Sequence, residues 1–448
     1  MARTSDLGSV STRLHRIAEL ARRAPEMVIV TLAHHIDLAW MYEAYRQTRK
    51  DGAAGSDEVT AAEYAEDLDG NLRSLLERFK SGSYFAPPVR RVQIPKGDGS
   101  KTRPIGIPTF EDKVLQRAVL MVLEAVYEQD FCDFSYGFRP KRSAHQALDS
   151  LWNRLMEVHG GWVLEADISS FFDTLDHKIL RSFLDQRVRD GVIRKMIDKW
   201  LKAGVLEDGQ LRRIEEGTPQ GGVISPLLAN IYLHEVLDRW FVEQVRPRMR
   251  NPAHLIRYAD DFVIVFADES DARRVMEVLP KRFARYGLGL HPEKTRLIEY
   301  GRTQGLRKGG SGGKPPTFDF LGFTHYWGKS RKGTLVVKRK TARTRFSRAM
   351  KRVALWCKRN RHRPIEEQQR YLSAVLLGHF SYYGITGNGK AINLYREQLR
   401  RIWHYWLRRR SQRRCLTWDR FARLQKRFPL PPPKVLHSIY RHAANPCA

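Results

Sequence analysis

The sequence predicts an α+β protein: a body of mixed helices and strands over about 337 residues, then a compact basic helical module. Three observations predict it. In the body, short runs with a two-residue period or a Gly-rich bend alternate with longer stretches of helical spacing. Lys and Arg crowd the end of the chain, where residues 331–448 hold 30 of them against 4 Asp and Glu. That basic stretch also carries Trp356, Phe380, Tyr382, Tyr383, Trp403, Tyr405, Trp406 and Trp418, too many aromatics for a solvated tail.

In chain order, residues 9–50 have helical spacing and stop at Lys50-Asp51-Gly52 before a small-residue loop, and 61–80 form a second helical segment. RRVQIPKGDGSKTRPIGIP at 90–108 reads as a β-hairpin with Lys96, Lys101 and Arg103 beside its bend. Helices are expected at 111–128 and 142–157, a strand ending near Asp167 in WVLEADISSFFDTLDH, and a helix at about 177–203. GTPQGGVISPLLANIYLHEVLDRWF at 217–241 starts as a Gly/Pro loop and runs into a long helix. RYADDFVIVF is then a strand, hairpin, strand; a helix follows from an N-cap at about Ser270 to a stop at Gly287. After a Gly, Lys and Pro-rich loop at 301–317, FDFLGFTHYW reads as one apolar strand, and the chain is helical from about Arg343.

With 448 residues, 42% of them hydrophobic, the chain can bury a large core. The net charge of +30 sits almost wholly in the last quarter, where it predicts a polyanionic partner. Four widely spaced cysteines suggest neither a zinc site nor a disulfide framework. The apolar stretch EMVIVTLA at 26–33 is too short for a membrane span and no signal pattern precedes it, so a cytosolic protein without membrane partners is expected.

Asp260 and Asp261 stand in an apolar setting where unpaired charge is costly. An ordinary turn explains the pair as well as a functional role does, until Asp167 is considered. If both elements share one sheet, three carboxylates converge and need cations. Two Mg²⁺ ions about 4 Å apart would neutralise them in the arrangement used for phosphoryl transfer.

IPKGDGSKTRPIGIPT, SYGFRP, ADISSFFDTLDH, GTPQGGVISPLLANIYLHE, RYADDFVIVF, GLGLHPEKT and FDFLGFTH, in this order, resemble the reverse transcriptase and maturase proteins encoded by group II introns. The resemblance runs from about residue 40 to 425. It implies a right-hand polymerase whose fingers and palm contain a ferredoxin-like antiparallel sheet, followed by an α-helical thumb or maturase domain. The implied divisions are an N-terminal extension with the start of the fingers at 1–85, fingers and palm at 86–337, thumb at 338–425 and a short basic segment at 426–448.

The resemblance also implies residue roles. Asp167 and Asp260 would ligate two Mg²⁺ ions, with Asp261 adjacent and the Ile168 carbonyl adding an oxygen. Lys96, Arg103 and Gln220 fall at positions that hold the deoxynucleotide, and Phe172 at the aromatic gate that excludes a 2′ hydroxyl; Phe171 reads better as core. Lys294 matches a candidate acid for the leaving pyrophosphate, and Leu321 and Gly322 lie in a strand similar to the primer grip. Arg400, Arg401, Arg408, Arg409 and Arg410 would meet RNA phosphates while most of the neighbouring Trp and Tyr form core.

The expected activity is RNA-directed DNA polymerisation, joined to binding of group II intron RNA, help in splicing, and retrohoming. Its partners would be an RNA template with a DNA primer, target DNA and dNTPs, acting as monomer or dimer. Many relatives carry a C-terminal HNH endonuclease with paired cysteines; HAANPC lacks that spacing, so the primer is expected to come from elsewhere. Two other readings are a reverse transcriptase of this lineage turned to defence and a non-catalytic RNA-binding splicing factor. The second has no need of Asp167, Asp260 and Asp261 together.

Overall fold

The computed structural model describes residues 4–96, 101–207, 210–212, 221–302, 316–330, 332–411 and 416–438. The chain divides into two compact units, Met1–Ala147 with Leu164–Leu297, and Leu148–Val163 with Ile298–Ala448.

The first unit opens with α1 (Thr4–Arg23) and α2 (Leu38–Gln47) where the pattern predicts one helical region. The interruption falls at EMVIVTLA. Ile29 there bridges Val188, and the Arg187 guanidinium gathers the carbonyls of Ala21, Ala24 and Met27, so this stretch serves as a pinned strap. After α3 (Ala61–Tyr64) and α4 (Leu68–Ser81), β1 (Val89–Lys96) and β2 (Lys101–Ile107) form the predicted hairpin, with Lys96 opposite Lys101. Thr109 caps α5 (Phe110–Tyr127), which is wrapped by core on several sides: Val114, Leu115, Ala118, Val119 and Val122 are all sealed from solvent.

Next in the chain come α6 (Ala144–Glu157), most of which belongs to the second unit, and β3 (Trp162–Ser169). The helix expected over 177–203 is two helices, α7 (His177–Asp185) and α8 (Gly191–Lys202). Asp190 holds the break: one carboxylate oxygen caps α8 through the N–H groups of Val192 and Ile193, and the other accepts from those of Leu32 and Ala33. A carboxylate with four backbone donors belongs at a helix start and not in its middle.

β4 (Val205–Glu207) and β5 (Gln210–Arg212) complete a sheet ordered β2-β1-β4-β5. The long helix predicted from the 217–241 segment begins as α9 (Ser225–Leu233) and then widens into π-helical turns at His234–Asp238 and Phe241–Val245. β6 (Ala253–Tyr258) and β7 (Asp261–Phe266) are the predicted hairpin. Asp268, not Ser270, caps α10 (Glu269–Ala284): its carboxylate accepts from the N–H groups of both Ser270 and Asp271. β8 (Gly289–Leu290) and β9 (Arg296–Glu299) follow, and the sheet is ordered β6-β7-β3-β8 with β9 also on β3.

In the second unit, β10 (Phe318–Phe320), β11 (Phe323–Lys329) and β12 (Leu335–Thr341) make an antiparallel sheet. FDFLGFTHYW is therefore not one strand. Leu321 and Gly322 form the two-residue turn between β10 and β11, at φ 49° and 80°. Positive φ at both positions matches the twist of a tight hairpin, at some strain for Leu. The Tyr382 hydroxyl donates to the Leu321 carbonyl at 2.8 Å and steadies it.

The basic stretch folds as α11 (Arg343–Arg359), α12 (Ile365–Tyr383), α13 (Gly389–Leu407) and α14 (Trp418–Arg427). Cys357, Leu372, Leu376, Leu399, Trp403 and Phe421 are fully buried at its centre. The Trp403 indole donates to Gln368 at 3.0 Å, which satisfies its one polar atom inside that core. Mixed helices and largely antiparallel sheets make the protein α+β, as the pattern predicts. Among the described residues no helix is long and apolar enough to cross a membrane.

Candidate active site

The site grows from β3 and its neighbour β7. In β3 the side chains of Val163, Leu164, Ala166 and Ile168 are buried, while Asp167 comes out half-exposed between them. Ile168 sits opposite Leu290 of β8. Beyond the strand, Ser170 turns the chain at φ 46°. Phe171 then drops into the core, 3% exposed and edge-on to Tyr232, whereas Phe172 stays half-buried at the rim, its ring 5.3 Å from that of Phe171.

The second carboxylate comes from the β6–β7 turn. Tyr258 pairs with Asp261, leaving Ala259 and Asp260 as the two loop residues. Asp260 is half-buried and Asp261 opens β7 on the exposed side. Burial pushes the Asp260 carboxyl above its ordinary pKa; a backbone hydrogen bond in the turn opposes this, the Asp167 charge adds to it, and Arg103 and Arg257 oppose it. Asp260 therefore feels Asp167 and Arg103 directly, which joins the hairpin β1–β2 and the two acidic strands in one electrostatic neighbourhood.

Lys294 enters on the turn between β8 and β9. The His291 N–H donates to the Asp167 carbonyl at 2.8 Å, and the N–H groups of Lys294 and Thr295 return to the His291 carbonyl, a tight turn hung on β3. The Lys294 ammonium pairs with the Asp167 carboxylate.

Of the other predicted residues, Lys96 closes β1 and Gln220 lies outside the described residues. Gly221 beside it runs close over β2: at φ 122°, a Cβ there would stand 2.3 Å from the Gly106 carbonyl oxygen. Leu321 and Gly322, expected within a strand, occupy a turn of the second unit. Arg401, Arg408 and Arg409 are exposed on or just after α13, and Arg409 stacks on Tyr405 at 3.5 Å. Arg400 pairs with Glu397 and lies over Trp418; Arg410 caps carbonyls of His362 and Arg363. These two are part of the module's own structure.

Sequence reasoning passed over Arg257, Asp238, Asn230 and Gly137, which pack beneath the Asp260 turn. The signal was present: an Arg inside the apolar run of β6, and an Asn inside LLANIYL.

Among the described residues no group of three or more His, Cys, Asp or Glu converges as a metal site. Asp167 and Asp260 could still hold a hard divalent cation, since neighbouring carboxylates supply hard oxygen donors. Paired carboxylates on neighbouring strands, with Lys294 and Arg103 beside them, suit an enzyme of phosphoryl transfer. Residues 94–325 match the family described as reverse transcriptase (RNA-dependent DNA polymerase), and the chain belongs to that family.

It is 38% identical over 288 residues to protein YkfC of Escherichia coli (strain K12), covering 57% of this chain and 75% of that one. To the group II intron-encoded protein LtrA of Lactococcus lactis subsp. cremoris it is 35% identical over 276 residues, 58% of this chain but 45% of LtrA. The mitochondrial nuclear intron maturase 2 of Arabidopsis thaliana is 26% identical over 277 residues, 51% of this chain and 36% of that one.

Proposed function

We propose that this reverse transcriptase copies RNA into DNA in the service of a group II intron, whose RNA it also binds and helps to splice. The observation that carries the catalytic half is that Asp167 on β3 and the Asp260 turn at the start of β7 come from neighbouring strands of one sheet, inside the region that matches the family. The likeness to LtrA and to an intron maturase supports the intron half.

Asp167 and Asp260, with the Ile168 carbonyl, would hold two Mg²⁺ ions. Bound there, Mg²⁺ supplies charge neutralisation to the attacking and leaving oxygens. The chain's own task is positioning. Arg103 offers the triphosphate a two-pronged donor and Lys96 a point charge. Phe172, half-buried just after β3, would exclude a 2′ hydroxyl. Lys294 supplies a proton near the leaving pyrophosphate once it is displaced from Asp167. Leu321 and Gly322 present the turn that grips the primer, and Arg401, Arg408 and Arg409 present charge to RNA phosphates. Target DNA and its primer complete the retrohoming reaction.

Primer extension on an RNA template with Mg²⁺ tests this. The parent extends the primer and Asp260→Ala loses extension by at least about a hundredfold. Equal extension by both would remove the metal-binding role, and an inactive but RNA-binding parent would favour the splicing-factor reading.

A further inference from the structure

Arg257 is completely buried in β6, three residues before Asp260. Its Nε and one terminal nitrogen grip both oxygens of Asp238, at 2.8 and 2.5 Å, and Asp238 is likewise sealed from solvent. Burial alone would raise the Asp238 carboxyl, but Arg257 and His234 outweigh it and hold the group ionised. The remaining guanidinium nitrogen donates to Asn230 Oδ1 at 2.9 Å and to the Ala259 carbonyl at 3.1 Å. Asn230, 1% exposed, donates in turn to the Gly137 carbonyl at 2.8 Å.

Gly137 closes the ring. A Cβ at that position would stand 2.2 Å from the Ala259 nitrogen, so the SYGFRP segment lies flat against the turn. The same segment pairs with β6 through Tyr136 N–H to the Arg257 carbonyl and Arg257 N–H to the Phe134 carbonyl, each 2.9 Å. Ala259 meanwhile sits at φ 57°, a conformation L-residues avoid. Such strain persists only where the surroundings over-determine it.

A buried ion pair is weak evidence for stability, because apolar residues of like volume often serve as well. We propose instead that Arg257, Asp238 and Asn230 are positioning residues: anchored by Asp238, the guanidinium holds the strained Ala259 peptide and thereby aims the Asp260 carboxylate. The inference rests on the reading of Asp260 as a catalytic carboxylate. An Arg is required, since the fork that fixes its plane on Asp238 leaves a separate nitrogen for the turn, and a Lys ammonium cannot divide itself so.

The test uses the full chain with Arg257→Lys and Asn230→Ala, the second of which keeps the ion pair and guards against loss of folding. Single-nucleotide incorporation should lose about ten- to a hundredfold in maximal rate for each variant. The nucleotide KM should stay within about threefold, the mark of an effect on alignment. Hydrogen exchange of the backbone amides at 258–262 should speed by about tenfold while α5 and α10 stay as protected as in the parent. Exchange that rises evenly through the unit, or unchanged exchange at the turn, overturns the proposal. So does a folded Asn230→Ala with the parent's rate. A parent without polymerase activity would sink the catalytic reading, and local exchange would still judge the tether.

Discussion

Lys294 pairs with Asp167 from a turn that is itself suspended from the Asp167 backbone through His291. The carboxylate proposed to hold a cation thus already has a cationic partner of the chain's own, and the two would compete. Lys294→Ala should lower the half-saturating Mg²⁺ concentration by up to about fivefold, the most that an ion pair this exposed is worth. The maximal rate should fall at the same time if Lys294 serves the leaving pyrophosphate. A Mg²⁺ titration of primer extension reads both, and an unchanged midpoint would show that the pair does not form in solution.

Two adjacent phenylalanines should behave oppositely. Phe171 is core, so Phe171→Ala should cost about 3–5 kcal/mol and show in the thermal midpoint. Phe172 lies at the rim, so Phe172→Val should leave stability nearly intact yet raise ribonucleotide use relative to deoxyribonucleotides by about tenfold or more. Competition between the two nucleotide types in single-turnover extension measures the second effect.

The arginines near the end of α13 divide as well. Each of Arg401→Gln, Arg408→Gln and Arg409→Gln should reduce the salt slope of RNA binding by about one unit per phosphate contact. Arg410→Gln should leave the slope largely alone and destabilise the module, because it strips donors from the carbonyls of His362 and Arg363. Filter binding across a salt series, with melting curves beside it, separates the two groups.

Acid should attack the second unit through His325. Burial, then the nearby Arg339 guanidinium, push the imidazole down to about 3 from 6.5, with the Phe320 backbone opposing. A depressed histidine stabilises the fold fully above pH 6.5, and that stability is lost as pH falls toward 3. The loss reaches on the order of 5 kcal/mol. Replacing His325 by Leu should flatten the acid limb of a plot of urea midpoint against pH, whatever it does to stability at neutrality.

The Asp260 hairpin was legible because alternating apolar residues on both sides of two polar ones admit one local structure. The basic module was legible from its aromatics. The turn at Leu321 was not: Leu rarely takes a positive φ, and only the Tyr382 hydroxyl and the strands on either side make it do so. The break before α8 was hidden because the Asp190 partners, Leu32 and Ala33, are distant in sequence. Arg257 was visible as an oddity within an apolar strand, but its role depends on Asp238, which a widened π-turn delivers to it. Periodicity reports which face a residue occupies and says nothing of what covers that face.

The Arg257–Asp238 pair also bears on how such a chain can change. Removing either partner alone strands an uncompensated charge in the interior, a loss of about 3–5 kcal/mol, while replacing both by apolar residues need not cost stability, though it gives up the hold on the Ala259 turn. The two positions are separated by a valley that single substitutions cannot cross without passing through a crippled intermediate. Directed evolution one mutation at a time should leave 238 and 257 frozen, and only libraries that randomise them together, with 230 and 137, will find the other solutions.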